Sequence, residues 1–244
     1  MSAVTLTLRG AGGRLGQLIL AQLAGVEAFK LHAALVSANS SMLGQALPFG
    51  LPGCYQNAIT QMPPPGSLLL DVSHAQDTPA VVQFCGINQL RLVSGVTGLD
   101  AAAQLEIDQL SQQQAVLHSG NFSLGATLLA HLLKQASASL GPEFQLGILD
   151  LHHQHKKDAP SGTALMLEQS AGQALQPVQH AHFRLSELVG EHRAFLVSPF
   201  ERLELSHSAL NRGVFAAGAL RAASWLANKP PGRYQMQDVL GLVR

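Results

Sequence analysis

Residues 4–16, VTLTLRGAGGRLG, place a strand, a glycine turn and a helix start in direct succession. Val4 to Leu8 are β-prone and read as a short strand. Gly10, Gly12 and Gly13 follow as a turn, and Leu15, Leu18, Ile19 and Leu23 then recur at helical spacing up to Gly25, a residue suited to cap the helix. Backbone without side chains can approach a pyrophosphate, and the unpaired N–H groups of the helix start favour its charge. Gly16 lets the helix pack closely on the strand. The plainer reading is a tight turn with no ligand, and the strand-turn-helix context at the head of an alternating pattern weighs against it.

Working outward, strands are expected at residues 31–36, 68–72, 90–94 and 115–118, with helices around 79–84 and over 101–114. Such alternation implies parallel pairing through right-handed crossovers, hence a doubly wound α/β sheet of five or six strands. Residues 37–66 are polar and punctuated by glycine and proline, with little regular structure expected. From Asn121 the character changes. A long amphipathic helix (123–140) precedes an apolar strand (144–151), a helix opened by Pro160-Ser161-Gly162-Thr163 runs to about Gln176, and 203–207 alternates as a half-buried strand. An alanine-rich helix covers 215–227. The expected division is a Rossmann-type dinucleotide-binding domain over 1–122, completed by 212–244, and a second α+β domain with an open mixed sheet over 123–211, for substrate binding and oligomerisation.

Composition narrows the function classes. The 244 residues are 47% hydrophobic and 12% charged, with 15 basic residues balancing 15 acidic ones. A chain this apolar buries enough surface to fold, and its balanced charge leaves no footprint for a nucleic-acid backbone. No apolar run reaches the roughly 18–20 residues of a membrane span and the N-terminus reads as a strand, so a cytoplasmic protein without a membrane partner is expected. Cys54 and Cys85 are too few and too far apart for a disulfide framework or a thiolate metal site.

Residues 150–163, DLHHQHKKDAPSGT, carry the densest chemistry. Three imidazoles and two ammonium groups lie between a strand end and a helix start. Histidine suits proton transfer near neutral pH, and a lysine facing a cleft can anchor a carboxylate or act as an acid. Ser161, Gly162 and Thr163 sit where N–H groups and hydroxyls converge on an anion. Together these would hold a small polyanionic substrate and protonate it. A zinc reading finds no cysteine or carboxylate pattern, and adjacent histidines on a strand point to opposite faces, so no metal is expected. The loops at 94–98 and 121–123 lie where a bound dinucleotide would be met.

These motifs resemble the dihydrodipicolinate reductase family over nearly the whole chain. Residues 10–16 resemble its cofactor loop, Gly95-Val96-Thr97-Gly98 its nicotinamide-side loop, and Gly120-Asn121-Phe122-Ser123-Leu124-Gly125 its interdomain segment. Residues 152–165 are similar to its active-site signature, and residues 189–192 and 201–242 continue the match. The resemblance implies reduction of a small heterocyclic dicarboxylate, 4-hydroxy-tetrahydrodipicolinate, by NADPH or NADH in lysine and diaminopimelate biosynthesis. It implies His152 and Lys156 as proton-handling residues, and His153, Ser161, Gly162 and Thr163 as substrate contacts. Gly10, Ala11, Gly12, Gly13, Arg14, Leu15, Gly95, Val96, Thr97, Gly120, Asn121, Phe122 and Ser123 are implied as cofactor contacts, and the assembly as a homotetramer built through the second domain's open sheet. Two rivals are a related two-domain amino-acid or oxoacid dehydrogenase and a dinucleotide-binding redox sensor without catalysis.

The chain departs from the family where cofactor choice is usually read. An NAD-preferring site places Asp or Glu about 20 residues past the glycine loop. Here that position is Val36, followed by Ser37-Ala38-Asn39-Ser40-Ser41, and no carboxylate occurs between Glu27 and Asp71. No Arg or Lys lies in the stretch beyond Lys30, so a 2′-phosphate would gain only neutral hydrogen bonds. That balance predicts use of both cofactors with a modest lean toward NADPH. The connection over 177–188 is shorter than the family's, and Asp71-Val72-Ser73-His74 replaces a more aromatic, proline-containing loop.

Overall fold

The computed structural model describes residues 3–242 except 174 and 176. Two compact units emerge: the described residues up to Phe122 with Phe215–Gly241, and Ser123–Val214. In chain order the elements are β1 (Val4–Arg9), α1 (Arg14–Leu23), β2 (Phe29–Leu35), β3 (Tyr55–Gln56), β4 (Leu68–Asp71), α2 (Thr78–Ile87), β5 (Arg91–Ser94), α3 (Ala101–Ser111) and β6 (Ala115–His118). There follow α4 (Leu124–Ser139), β7 (Gln145–His152), α5 (Gly162–Ala171), β8 (Gln179–Arg184), β9 (Gly190–Val197), β10 (Arg202–Ala209), α6 (Gly213–Leu226), β11 (Gly232–Tyr234) and α7 (Met236–Val239).

The first unit holds a parallel sheet in the order β11-β6-β5-β4-β1-β2-β3. β4 is buried along its whole length, as a parallel sheet covered on both faces requires of its central strands. Leu69, Leu92 and Val116 of the sheet pack against Val81 and Cys85 of α2 and Ile107 and Leu110 of α3. Strand register brings Leu35, Arg9, Asp71, Ser94 and His118 into one row, so every loop that follows this row leaves from the same carboxyl edge. That edge is where open α/β sheets bind ligands.

The second unit holds a mixed sheet in the order β10-β9-β7-β8, with β7 parallel to β8 and the other pairs antiparallel. β7 alternates strictly between buried and partly exposed positions, the mark of a sheet covered on one face. Leu146, Ile148, Ala194 and Leu196 fill that covered face against Leu129 and Leu133 of α4 and Ala164 and Leu167 of α5. Leu149 and Leu151 point to the opposite face by the same alternation, and Phe183 and Val197 are exposed.

Several expectations needed revision. The 37–66 stretch contains one short strand, β3, which pairs with β2. Strands β8, β9 and β11 and helix α7 lay outside the expected elements. β8 and β11 are short or polar, and β9, GEHRAFLV, mixes charge with apolar residues because its second face is partly exposed. Helix α3 stops at Ser111, before the glutamine run. Helix α5 stops at Ala171, and Gln176, the expected end, lies outside the described residues. Helix α1 ends at Leu23 with Ala24, rather than Gly25, as its cap.

Candidate active site

In the first unit the turn between β1 and α1 is built from backbone. Gly10 adopts φ +81°, and a Cβ there would lie 2.7 Å from the Val72 carbonyl group, so only glycine fits. A side chain at Gly16 would collide with the Gly10 carbonyl oxygen, which is why α1 can sit close against the turn. Gln17 donates to the Ala11 carbonyl and the Tyr55 hydroxyl, both at 2.7 Å, and ties the turn to β3. Gly13 caps α1 with no side-chain hydrogen bond, leaving the first-turn N–H groups for an outside acceptor. Beside the turn lies a cavity of about 480 Å³, walled by Gly10, Gly12, Gly13, Val36 and Ser37 among others. An open helix start, a glycine cradle and an adjoining cavity fit a dinucleotide's pyrophosphate and adenosine.

In the second unit the covered face of the sheet ends in an ionic cluster. Asp150, His152 and His192 share that face because residues two apart on a strand point the same way, and Asp150 and His192 are register partners. Asp150 is fully buried. Its Oδ2 accepts from the Ser161 N–H at 2.8 Å and from Arg184 Nη2 at 3.2 Å. Its Oδ1 lies 2.5 Å from His152 Nδ1 and 3.5 Å from His192 Nε2. Burial pushes the Asp150 carboxyl upward, but the contact with His152, the Ser161 N–H and the two imidazoles outweigh it and hold it below the usual carboxylate range. Burial, opposed by Asp150 and aided by His152, brings His192 down to about 4, so its ring is neutral at neutral pH.

Around this cluster stand the more exposed groups. Ser161 caps α5, its hydroxyl accepting from the Ala164 N–H and lying 3.1 Å from His192 Nε2. Lys156 Nζ pairs with Asp158 at 2.7 Å. Arg184 also donates to the Asp158 carbonyl at 2.7 Å, so one guanidinium braces both ends of the loop. A side chain at Gly190 would press on His152 Nε2, so glycine leaves that nitrogen room. His207 Nε2 lies 3.2 Å from the Ser123 hydroxyl, and burial lowers the imidazole's proton affinity.

Comparison with known proteins joins these two constructions. Residues 4–122 match the family description "Dihydrodipicolinate reductase, N-terminus" and residues 125–240 match "Dihydrodipicolinate reductase, C-terminus". The chain belongs to the dihydrodipicolinate reductase family. Family members named 4-hydroxy-tetrahydrodipicolinate reductase are 35% identical in Rhodopseudomonas palustris, over 99% of both chains, and 38% identical in Xanthomonas campestris, over 98% of both. The fold is likewise that of a solved family member, dipicolinate-bound dihydrodipicolinate reductase from Paenisporosarcina, with TM-score 0.80 at 19% identity over 97% of this chain and 98% of that one.

The residues that the family resemblance singled out fall as follows. Gly10, Ala11, Gly12, Gly13, Arg14 and Leu15 form the turn and helix start, with Ala11 buried. Gly95, Val96 and Thr97 follow β5, and Gly120, Asn121 and Phe122 follow β6, on the same carboxyl edge. Phe122 is buried with its ring against Gly95, so its side chain serves packing. Ser123 caps α4 in the second unit, and its hydroxyl accepts from the Ala126 N–H. His152 and Ser161 meet in the ionic cluster, while His153, Gly162 and Thr163 are more exposed. Sequence reasoning passed over Asp150, Arg184 and His192. The i, i+2 spacing of Asp150 and His152 carried a signal, but Arg184 and His192 come from β8 and β9, which were not read as strands. Among the described residues, Asp150, His152 and His192 also form a group whose ligand atoms lie within 4.8 Å of one another. The Arg184 guanidinium neutralises that carboxylate through Oδ2, which weakens the pull of Oδ1 on a dication.

Proposed function

We propose that this protein reduces 4-hydroxy-tetrahydrodipicolinate to tetrahydrodipicolinate with NADPH or NADH, in the cytoplasm, as a step of lysine and diaminopimelate biosynthesis. The observation that carries the reading is the full-length likeness to reductases of that name, across both family segments. It disfavours a different two-domain dehydrogenase. A redox sensor without catalysis would have no use for a histidine-lysine cluster. Residues 1–122 with 212–244 are assigned to the dinucleotide and 123–211 to the substrate.

The nicotinamide, when bound, supplies the hydride. Gly10 to Leu15 hold the pyrophosphate with N–H groups, and Gly95, Val96, Thr97, Gly120, Asn121, Phe122 and Ser123 border the nicotinamide side. On the substrate side, the start of α5 at Ser161, Gly162 and Thr163 offers N–H groups and the positive end of the helix to a carboxylate. His153 adds a second polar contact. Lys156 Nζ delivers the proton that completes the reduction, with Asp158 fixing its direction, and His152 relays or orients it. Asp150 fixes the His152 ring through Nδ1, leaving Nε2 as the working nitrogen. His192, neutral at neutral pH, adds no positive charge beside that ring.

Loss of reduced-nicotinamide absorbance with freshly generated 4-hydroxy-tetrahydrodipicolinate is the expected result, and no oxidation above a substrate-free control overturns the reading. Among the described residues no helix is long and apolar enough to cross a membrane. The assembly is assigned as a homotetramer through the uncovered face of the mixed sheet, where Phe183 and Val197 stand exposed. Light scattering at micromolar concentration is expected to give a four-chain mass, and a monomer only would defeat that assignment.

A further inference from the structure

The cavity beside the glycine turn has a charge that the second strand does not supply. Val36, Ser37, Ala38 and Ser40 wall it with neutral groups, yet Arg9 also lines it, and it is the only arginine or lysine among the described lining residues. Arg9 closes β1 one residue before the turn and is in register with Leu35, the last residue of β2. It thus stands across from the strand end where an acidic residue would otherwise read the ribose. Asp77, from the segment before α2, also lines the cavity and holds Arg9 Nη2 at 3.2 Å. Arg9 Nε is buried with no hydrogen-bond partner among the described residues, so part of the guanidinium's donor capacity is unused there. Arg9, Leu35 and Asn57 also border a second, largely apolar cavity of about 320 Å³, so the guanidinium sits at a seam between polar and apolar surroundings.

We infer that Arg9 is the residue by which this chain recognises the 2′-phosphate of NADPH, and that Asp77 both holds the guanidinium in place and competes with that phosphate for it. The inference rests on the proposed dinucleotide reading and sharpens its cofactor choice. A guanidinium is a planar, permanently charged fork that matches a phosphate, and a partly desolvated one is worth more than the neutral hydrogen bonds of the serine-rich loop. The charge that the loop after β2 lacks therefore arrives from the neighbouring strand.

The test is binding, read by nucleotide fluorescence or calorimetry on the whole protein with NADPH, NADH, 2′,5′-ADP and 5′-ADP. Arg9→Gln is expected to weaken NADPH and 2′,5′-ADP by about 10- to 100-fold, the scale of a charge-assisted hydrogen bond, and NADH and 5′-ADP by no more than about 3-fold. Asp77→Asn, which removes the competing charge at nearly constant volume, is expected to tighten NADPH by about 3- to 10-fold and leave NADH unchanged. Equal weakening of both nucleotides in Arg9→Gln would mean that Arg9 touches a part common to both, and overturns the assignment. An unchanged NADPH-to-NADH ratio in Asp77→Asn does the same, and remains readable if Arg9→Gln fails to fold. Wild-type protein that binds neither nucleotide overturns the dinucleotide reading itself, a distinct outcome.

Discussion

The glycine turn of the first unit and the Asp150 cluster of the second, the two places proposed above to meet anions, are built by opposite means. The turn uses backbone: Gly10 and Gly16 are defined by the side chains they lack, and the neighbouring cavity is open. The cluster uses side chains whose charges are buried, each held by the next. Asp150 alone engages the Ser161 N–H, Arg184, His152 and His192. A defect in the turn is therefore local and touches one ligand. A defect in the cluster leaves partners uncompensated, so it should reach stability and chemistry together.

The largest expected effect follows from that difference. Asp150→Asn keeps the shape but leaves the Arg184 guanidinium without its counter-ion, and breaking a buried pair by removing one member costs about 3–5 kcal/mol. Denaturant unfolding is expected to show a loss of that order while turnover falls as well, with nucleotide affinity intact. A stability change below about 1 kcal/mol would show that the cluster is no more interdependent than the turn. Next in size, Lys156→Ala is expected to lower turnover by about 10²-fold or more, the scale of positioned acid catalysis, with little effect on stability because among the described residues its ion pair is with the exposed Asp158. Near wild-type turnover would remove its assigned role.

How much of this was legible in the sequence follows the same divide. The turn could be read from residues 4–16 because everything that defines it is local: a strand, glycines at fixed spacing and a helix. The cluster could be read only in part. His152, Lys156 and Ser161 sit within one segment, but Arg184 and His192 reach Asp150 from β8 and β9, 34 and 42 positions along the chain by residue number. Those strands are weakly patterned, since one is an edge strand and the other carries Glu191 and Arg193 on its second face. Arg9 was missed for a related reason. It lies just before the glycines, whereas the signals of cofactor choice in the sequence are sought in the second strand and the loop after it, and strand pairing, not sequence distance, sets Arg9 beside Leu35.

A smaller effect tests the local character of the turn. Gly10→Ala forces an L-residue to φ +81° at about 1–2 kcal/mol and sets a methyl against the Val72 carbonyl. Nucleotide affinity is expected to fall about 10-fold, the factor that 1.4 kcal/mol represents. The pH dependence of stability that the cluster produces should be unchanged. Unaltered affinity would mean that the turn does not hold the nucleotide.

At neutral pH the smallest effect belongs to His192, which reads the cluster by acid. Its ring is held at about 4, below the 6.5 of an unperturbed histidine, so between those values the unfolded chain takes up a proton that the folded chain refuses. Stability contributed by the neutral ring is complete above 6.5 and is lost as pH falls toward 4. One such proton gives a slope of at most about 1.4 kcal/mol per pH unit. Asp150 does not cancel it, because a carboxyl held below its usual range stabilises everywhere above about 3.8 and yields only below that, outside the window. His118 and His207, also lowered by burial, add slope of the same sign and persist when His192 is replaced. His192→Gln retains a hydrogen-bonding group for the Ser161 hydroxyl but cannot titrate. Unfolding free energies at pH 7, 6 and 5 should therefore fall less steeply in the variant than in the wild type, with the two curves converging toward acid. Parallel curves would show that folding leaves the proton affinity of His192 unchanged, and a wild type that gains stability over the variant toward acid would show that Asp150 holds the ring charged; either result overturns the neutral assignment.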